Sequence, residues 1–231
     1  MMHRLLAATL LILAPAVCLA DENGWVSLFD GESLDGWIGN DDFWRVEEGH
    51  IVGETTEDNP TEGNTFLIWD GGEVDDFQLR FRYRIDSPWA NSGVQVRSEH
   101  LGDYRVRGYQ PDIATDGWIT GIHYEEGGRG ILARRGQRAV LAADGSAEVT
   151  RFADEDELGE HIKEGDWNEY HVIARGETIV TKINGERMHE VVDNSPQARR
   201  SGIIAFQLHQ GPPMTIRFDD VELKRLPNEN P

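Results

Sequence analysis

Apolar and polar residues alternate along most of this chain with a period of two. The run Phe77-Gln78-Leu79-Arg80-Phe81-Arg82-Tyr83-Arg84-Ile85 never breaks that rhythm. Successive side chains of a strand point to opposite faces, so the run predicts a half-buried strand. Tyr170 to Arg175 and Thr178 to Ile183 repeat the pattern around Gly176-Glu177. Asn184-Gly185 then predicts a tight hairpin turn, with Arg187 to Val192 returning. Phe43 to Val46 and His50 to Val52 form another hairpin around Glu47-Glu48-Gly49. Between Met214 and Leu226, Ile216 and Phe218 share one parity and Val221 and Leu223 the other. The switch at Asp219-Asp220 predicts a β-bulge. The best helix candidate is Asp154 to Lys163, acidic at its start and basic at its end as the helix dipole favours, but Gly159 interrupts it. Many short strands with regular turns predict an all-β sandwich or barrel.

Two further alternating strands carry an unusual polar face. In Asn91-Ser92-Gly93-Val94-Gln95-Val96-Arg97, the parity puts Val94 and Val96 on one side and Asn91, Gln95 and Arg97 on the other. In Ile203 to His209, Ile204, Phe206 and Leu208 face one way, while Gln207 and His209 face the other. A row of amide, guanidinium and imidazole groups suits a polar ligand, although a wet sheet face would show the same alternation.

The first twenty residues read as a leader. Met1-Met2-His3-Arg4 is a small positive start, Leu5 to Leu13 is apolar, and small residues lead to Ala20 before Asp21-Glu22. This is the pattern of a secretory signal peptide cleaved near Ala20, too short for an ordinary membrane span. The expectation is an exported protein, periplasmic or secreted. One domain is expected from about Gly24 to Leu226 (24-226), with residues 227-231 as a tail and the acidic run Asp144 to Asp166 as an insertion. Cys18 is the only cysteine, so the mature chain would have neither disulfide nor thiolate chemistry. The formal charge is −20, which makes nucleic acid and anionic membranes poor partners.

Candidate chemistry concentrates between Tyr104 and Arg135. The stretch holds Tyr109-Gln110-Pro111-Asp112, Trp118, His123-Tyr124-Glu125-Glu126 and Gly127-Gly128-Arg129-Gly130. These side chains could supply an acid, a base and a stabiliser of developing negative charge. They could equally be solvated strand residues and a glycine turn. Gly127 to Gly130 lacks the Lys-Ser/Thr ending of a phosphate loop, the remaining histidines lack zinc spacing, and no nucleophile elbow occurs. Glu125 and Glu126 are adjacent, so at most one of them lines a cleft. Of the seven tryptophans, Trp89 and Trp118 lie in polar, glycine-rich surroundings and are the better stacking platforms for a sugar ring.

A series of motifs resembles the 3-keto-disaccharide hydrolase family from about Gly24 to Leu226. They are Ser27-Leu28-Phe29-Asp30-Gly31 with Leu34-Asp35-Gly36-Trp37, the Asn91 to Arg97 strand, Gly108 to Ile113, Glu126 to Gly130, Asp166 to Tyr170, Asn184-Gly185, and Gly202 to His209. The resemblance implies a concanavalin A-like jelly roll of two antiparallel sheets with a concave groove. It also implies cleavage of glycosides already oxidised at C3. The ketone acidifies the C2 proton, a base removes it, the C1 substituent is expelled, and water adds afterwards. Such a route needs a base near C2, a positive group or divalent metal ion at the keto oxygen, and an acid at the leaving oxygen. Arg97 or Arg129 would serve the keto oxygen, and His209, Glu126 or His123 would transfer protons. Asn91, Gln95, Tyr109, Gln110, Asp112, Trp118 and Gln207 would bind substrate. No spacing demands a metal. A non-catalytic carbohydrate-binding module and a structural sandwich at the cell envelope are the alternatives.

Overall fold

The computed structural model describes residues 21–115 and 117–227, and they fold almost entirely as strands. The expected leader, residues 1–20, and residues 228–231 of the tail lie outside the described residues. One sheet has ten strands. Edge to edge it runs Ala147–Arg151, Gln137–Leu141, Glu186–Asp193, Thr178–Ile183, Asn168–Arg175, Phe77–Ile85, Met214–Arg225, His50–Thr55 and Trp44–Glu47, with the short strand Val26–Ser27 beside Met214–Arg225. The other sheet has seven strands: Gly130–Ala133, His123–Glu126, Arg105–Ala114, Asn91–Gly102, Ile203–Leu208, Thr65–Trp69 and Trp37–Ile38. Among the described strand pairs all are antiparallel except Gln137–Leu141 with Glu186–Asp193, which run parallel. The two layers form an all-β sandwich of jelly-roll type.

The core lies between the sheets, where the period-two pattern puts it. Phe77, Leu79, Phe81, Tyr83 and Ile85 are buried and alternate with half-buried polar residues. Val94, Val96, Ile204, Phe206 and Leu208 meet them from the seven-stranded sheet. The ring of Phe206 stacks on Phe218 with centroids 3.9 Å apart and meets Phe81 edge-on at 5.1 Å, joining the layers. Each fully buried ring or branched chain of this kind contributes roughly 1.5–3 kcal/mol relative to exposure.

The turns follow local chemistry. Asn184 and Gly185 both have positive φ, 51° and 89°, as a two-residue hairpin of primed type requires. The register of Met214–Arg225 against Phe77–Ile85 shifts between Asp219 and Glu222, which is the expected bulge. The acidic run read as an insertion is partly built into the sandwich: it supplies the edge strand Ala147–Arg151 and the helix Glu155–Gly159. Asp154 caps that helix by accepting from the Asp156 and Glu157 N–H groups. The helix is shorter than the charge pattern implied, and its last turn carries no basic residue.

Candidate functional site

The polar face of the seven-stranded sheet carries a connected amide floor. The register sets Val96 opposite Tyr109 and Phe206 opposite Val94, so Gln95, Gln110, Asp112 and Gln207 share the face turned away from the core. Ser98 Oγ donates to Gln95 Oε1 at 2.6 Å, and Gln95 Nε2 donates to Gln110 Oε1 at 2.5 Å. Gln207 Nε2 also donates to Gln110 Oε1, at 3.0 Å, and Gln110 Nε2 donates to Asp112 Oδ1 at 2.7 Å. Every donor in this chain is directed toward Asp112. Gln207 Oε1 is fully buried and has no partner among the described residues. An unpartnered buried acceptor costs free energy and is satisfied when something polar enters the groove.

Gly93 makes this floor possible. A Cβ there would stand 2.7 Å from Gln110 Cγ and 3.0 Å from Asp112 Oδ1. The Gly93 backbone therefore passes beneath both side chains, a close approach that only glycine permits. Sequence reading put Gly93 in a motif without giving it this role.

Above the floor lies a groove of about 290 Å³ lined by Asn64, Asn91, Gln110, Asp112, Tyr124, Glu126, Gln207 and His209. Trp118, Ile119, Ile122 and Ile131 form its apolar walls. The 117–122 loop is pinned beside Asp112: Gly121 N–H donates to Asp112 O, Asp112 N–H donates to Ile122 O, and Thr120 Oγ1 bonds both backbone groups of Ala114. Burial pushes the Asp112 carboxyl up to about 8, against the Gln110 hydrogen bond and with help from the Glu126 charge. Burial also raises Glu126, opposed by a hydrogen bond from Asn64 Nδ2 at 3.3 Å and by His209. Trp118 is exposed at the rim with the Arg134 guanidinium 5.1 Å from its ring.

Two more hollows adjoin the groove. A polar cleft of about 970 Å³ shares Asn64, Glu126 and His209 with it and runs to the hairpin tip at Asp103-Tyr104. That tip has positive φ at both residues, and Tyr104 O accepts from Phe66 N–H, which folds the hairpin over the Thr65–Trp69 strand. On the other side, a hollow of about 250 Å³ shares Asn91, Ile119 and His209 with the groove. His209 borders all three spaces. Among the described residues, no group of three or more His, Cys, Asp or Glu side chains gathers into a metal-holding cluster.

The structure brings together Asn91, Gln110, Asp112, Trp118, Glu126, Gln207 and His209, with Gln95 beneath them. Four other expected site residues lie elsewhere. Arg97 does not share the Gln95 face. Its φ is +49°, within a register shift that follows Val96, and the bulge turns its side chain out of the alternation. The buried guanidinium donates to Asp75 O at 2.7 Å, Gly176 O at 2.7 Å and Asp76 Oδ1 at 2.9 Å, tying the sheets together. Gly202 accommodates the bulge, because a Cβ there would meet Ser98 backbone atoms at 2.4 to 2.5 Å.

Arg129 is likewise a structural tie, bound to Glu125, to Asp193 at 2.6 Å and to Ser195 at 2.9 Å. Tyr109 follows the Val96 parity inward and donates its hydroxyl to Asp193 Oδ2 at 2.6 Å. Burial opposes ionisation of Asp193, yet hydrogen bonds from Arg129, Tyr109 and Ser195 outweigh it and hold the carboxyl at about 2. His123 is fully buried on the same inner side, its Nδ1 3.0 Å from His189 Nε2. Since His189 Nδ1 lies 2.9 Å from Gly121 O, His189 donates there and accepts from His123. Burial holds both imidazoles neutral, with His189 lowered to about 4. Glu125 and Glu126 do face opposite ways, and Glu126 is the one in the groove. Asn64 was missed, since it precedes a strand with no distinguishing pattern.

Among the described residues no helix is long and apolar enough to cross a membrane. No curated protein is significantly similar to the chain. Among solved structures, a candidate glycosyl hydrolase from Parabacteroides distasonis aligns with TM-score 0.58 at 18% identity, over 87% of this chain and 99% of its own. A protein of unknown function with galectin-like fold from Bacillus subtilis aligns with TM-score 0.56 at 12% identity, over 85% and 92%. The carbohydrate-binding module CBM66 from Bacillus subtilis aligns with TM-score 0.51 at 12% identity, over 89% and 98%. At these identities the likeness is one of fold. The 3-keto-alpha-glucoside-1,2-lyase-like domain model matches residues 24–224, nearly the whole described chain. The chain therefore belongs to the 3-keto-alpha-glucoside-1,2-lyase-like domain family.

Proposed function

We propose that this protein is an exported enzyme that cleaves 3-keto-glycosides in the groove over Gln110 and Asp112. The observation that carries the reading is the pairing of two carboxyl groups of raised proton affinity, Asp112 and Glu126, with His209 and a set of amides in one groove. Family membership supports the substrate class.

The chemistry has a place for each group. Asp112 is uncharged below about pH 8 and can donate a hydrogen bond to the C3 keto oxygen. It takes the role that sequence reading gave to Arg97 or Arg129. Glu126, half-buried and raised, is suited to removing the C2 proton. The electron pair of the C2–H bond then forms an enediolate, and its collapse to a C1–C2 double bond breaks the C1–O bond. His209, at the mouth of both flanking hollows, can protonate the departing oxygen. Water adds across the double bond, hydroxyl to C1 and proton to C2, so the net result is hydrolysis. Asn91, Asn64, Gln110 and Gln207 hold hydroxyls, and the orphan Gln207 Oε1 accepts one of them. Trp118 gives the sugar a ring face to stack on.

The test is incubation with a 3-keto-glucoside and measurement of aglycone release by wild type, Glu126→Gln and His209→Ala. The expected loss is at least about tenfold in kcat/KM for each variant, about 1.4 kcal/mol of transition-state stabilisation. Full activity in both variants would remove the proposed roles. A second reading, a carbohydrate-binding module, is favoured by the exposed Trp118 at the rim. It predicts sugar binding with no turnover by the wild-type protein.

A further inference from the structure

We propose that the hollow between Trp89 and His209 receives an aromatic aglycone, so that the preferred substrates are aryl rather than alkyl 3-ketoglucosides. The inference rests on the reading of the groove as the site that holds the sugar ring.

The hollow opens off that groove at Asn91, Ile119 and His209 and meets the polar cleft at His209 and Gln210. Its remaining walls are predominantly apolar, formed by Trp89, Ala90, Ala114, Pro212 and Met214, with Thr115 and Gln210 the polar residues among them. Trp89 is 73% exposed, the most exposed large hydrophobic residue described, and lies at the edge of this space. The neighbouring Thr115 hydroxyl is already committed, since Oγ1 accepts from Ala90 N–H at 2.8 Å and donates to Ala90 O at 3.3 Å. A second sugar ring seated here would leave hydroxyls facing Pro212 and Met214 without partners, which is costly. A flat apolar ring loses no hydrogen bonds, covers Trp89, and can stack on its indole. The polar cleft beyond Glu126 differs in carrying charge, with Asp42, Glu62, Asp103, Arg105 and Arg107 on its walls beside Phe43, Leu101 and Tyr104. Of the two spaces His209 could send a leaving group into, the Trp89 hollow, free of charged side chains among its described lining, is the better match for an aryl group, and its bond to C1 would pass the imidazole that protonates the oxygen.

The test compares phenyl and methyl 3-ketoglucosides on wild type and Trp89→Ala. Because phenoxide leaves more readily than methoxide in any case, the informative quantity is the change in the phenyl-to-methyl ratio of kcat/KM between the two proteins. The proposal predicts that Trp89→Ala lowers that ratio by about fivefold or more while the methyl substrate changes by less than about twofold. An unchanged ratio overturns it. Calorimetric binding of both glycosides provides the same comparison without turnover: wild type should prefer the phenyl compound and Trp89→Ala should lose the preference. If neither glycoside is turned over yet this preference depends on Trp89, the aryl hollow stands and the enzymatic reading falls. If both are turned over with no Trp89-dependent preference in rate or binding, the enzymatic reading stands and the hollow has no such role. If neither turnover nor preference is seen, both fail.

Discussion

Gln110 donates its side-chain N–H to Asp112 Oδ1 across 2.7 Å, while its own side-chain oxygen accepts from Gln95 and Gln207. The amide thus has both ends engaged and cannot reorient without breaking the floor. Asp112 is held in one position at the base of the groove by a network anchored in three strands.

The pH dependence follows from this placement. The ordinary value for the Asp112 carboxyl is 3.8 and the folded one about 8. Between those values the folded protein keeps a proton that the unfolded chain has released, so this group's contribution to stability falls as pH rises through the window. Asp112→Asn should flatten the fall and be more stable than wild type at about pH 9 by more than about 1 kcal/mol. Urea denaturation at about pH 5 and about pH 9 checks it. In activity, the wild type should decline above about pH 8 as the donor at the keto oxygen is lost, and Asp112→Asn should lack that alkaline limb.

The buried imidazole pair acts in the opposite sense. His123 and His189 are both held below the ordinary value of 6.5, so their contribution is fully present above it and is lost as pH falls toward about 4. Through His189, wild type should lose on the order of 2 kcal/mol between about pH 7 and about pH 4.5, and His123 acts in the same direction. His123→Gln should show a shallower slope over the same range in denaturation experiments.

Gly93 offers a steric test of the floor. Gly93→Ala drives a Cβ into Gln110 and Asp112. The expected outcome is a loss of about 1–3 kcal/mol of stability, as in other overpacked sites. Binding of a 3-keto-glucoside should weaken with it, as measured by calorimetry.

Arg97 separates structural from catalytic cations. Its guanidinium is 1% exposed and bridges Asp75, Asp76 and Gly176. Arg97→Ala should cost about 3–5 kcal/mol by leaving buried partners uncompensated. The molecules that remain folded should keep kcat/KM within about twofold of wild type. A fall in kcat/KM without a fall in thermal midpoint would return Arg97 to the chemistry.

Much of the sandwich was legible because one physical rule, period-two alternation, governs both the strands and the core. Val94 and Phe206 are fully buried as their parity requires, and Gln207 and His209 reach the groove. The Asn184-Gly185 turn and the Asp219-Asp220 bulge were legible from local chemistry. Arg97 was misread because alternation fails at one left-handed residue, and that residue is tolerated through Gly202, far away in the sequence. Tyr109, His123 and Arg129 were misread for a different reason. The inner face of this sheet carries polar groups as well, and what makes them structural is the Glu186–Asp193 strand of the opposite sheet, whose Asp193 binds Tyr109 and Arg129 and whose His189 pairs with His123. No strand pattern reveals a partner across the sandwich.

The central claim is that Glu126 removes the C2 proton of a 3-keto-glycoside bound over Asp112. Exchange of that proton with solvent deuterium, followed by NMR on a methyl 3-ketoglucoside, tests it without depending on the leaving group. Wild type should wash deuterium into C2, and Glu126→Gln should slow that exchange by at least about a hundredfold while still binding the sugar. Exchange at the wild-type rate in Glu126→Gln, or no exchange in a wild-type protein that binds the ketosugar, would contradict the account.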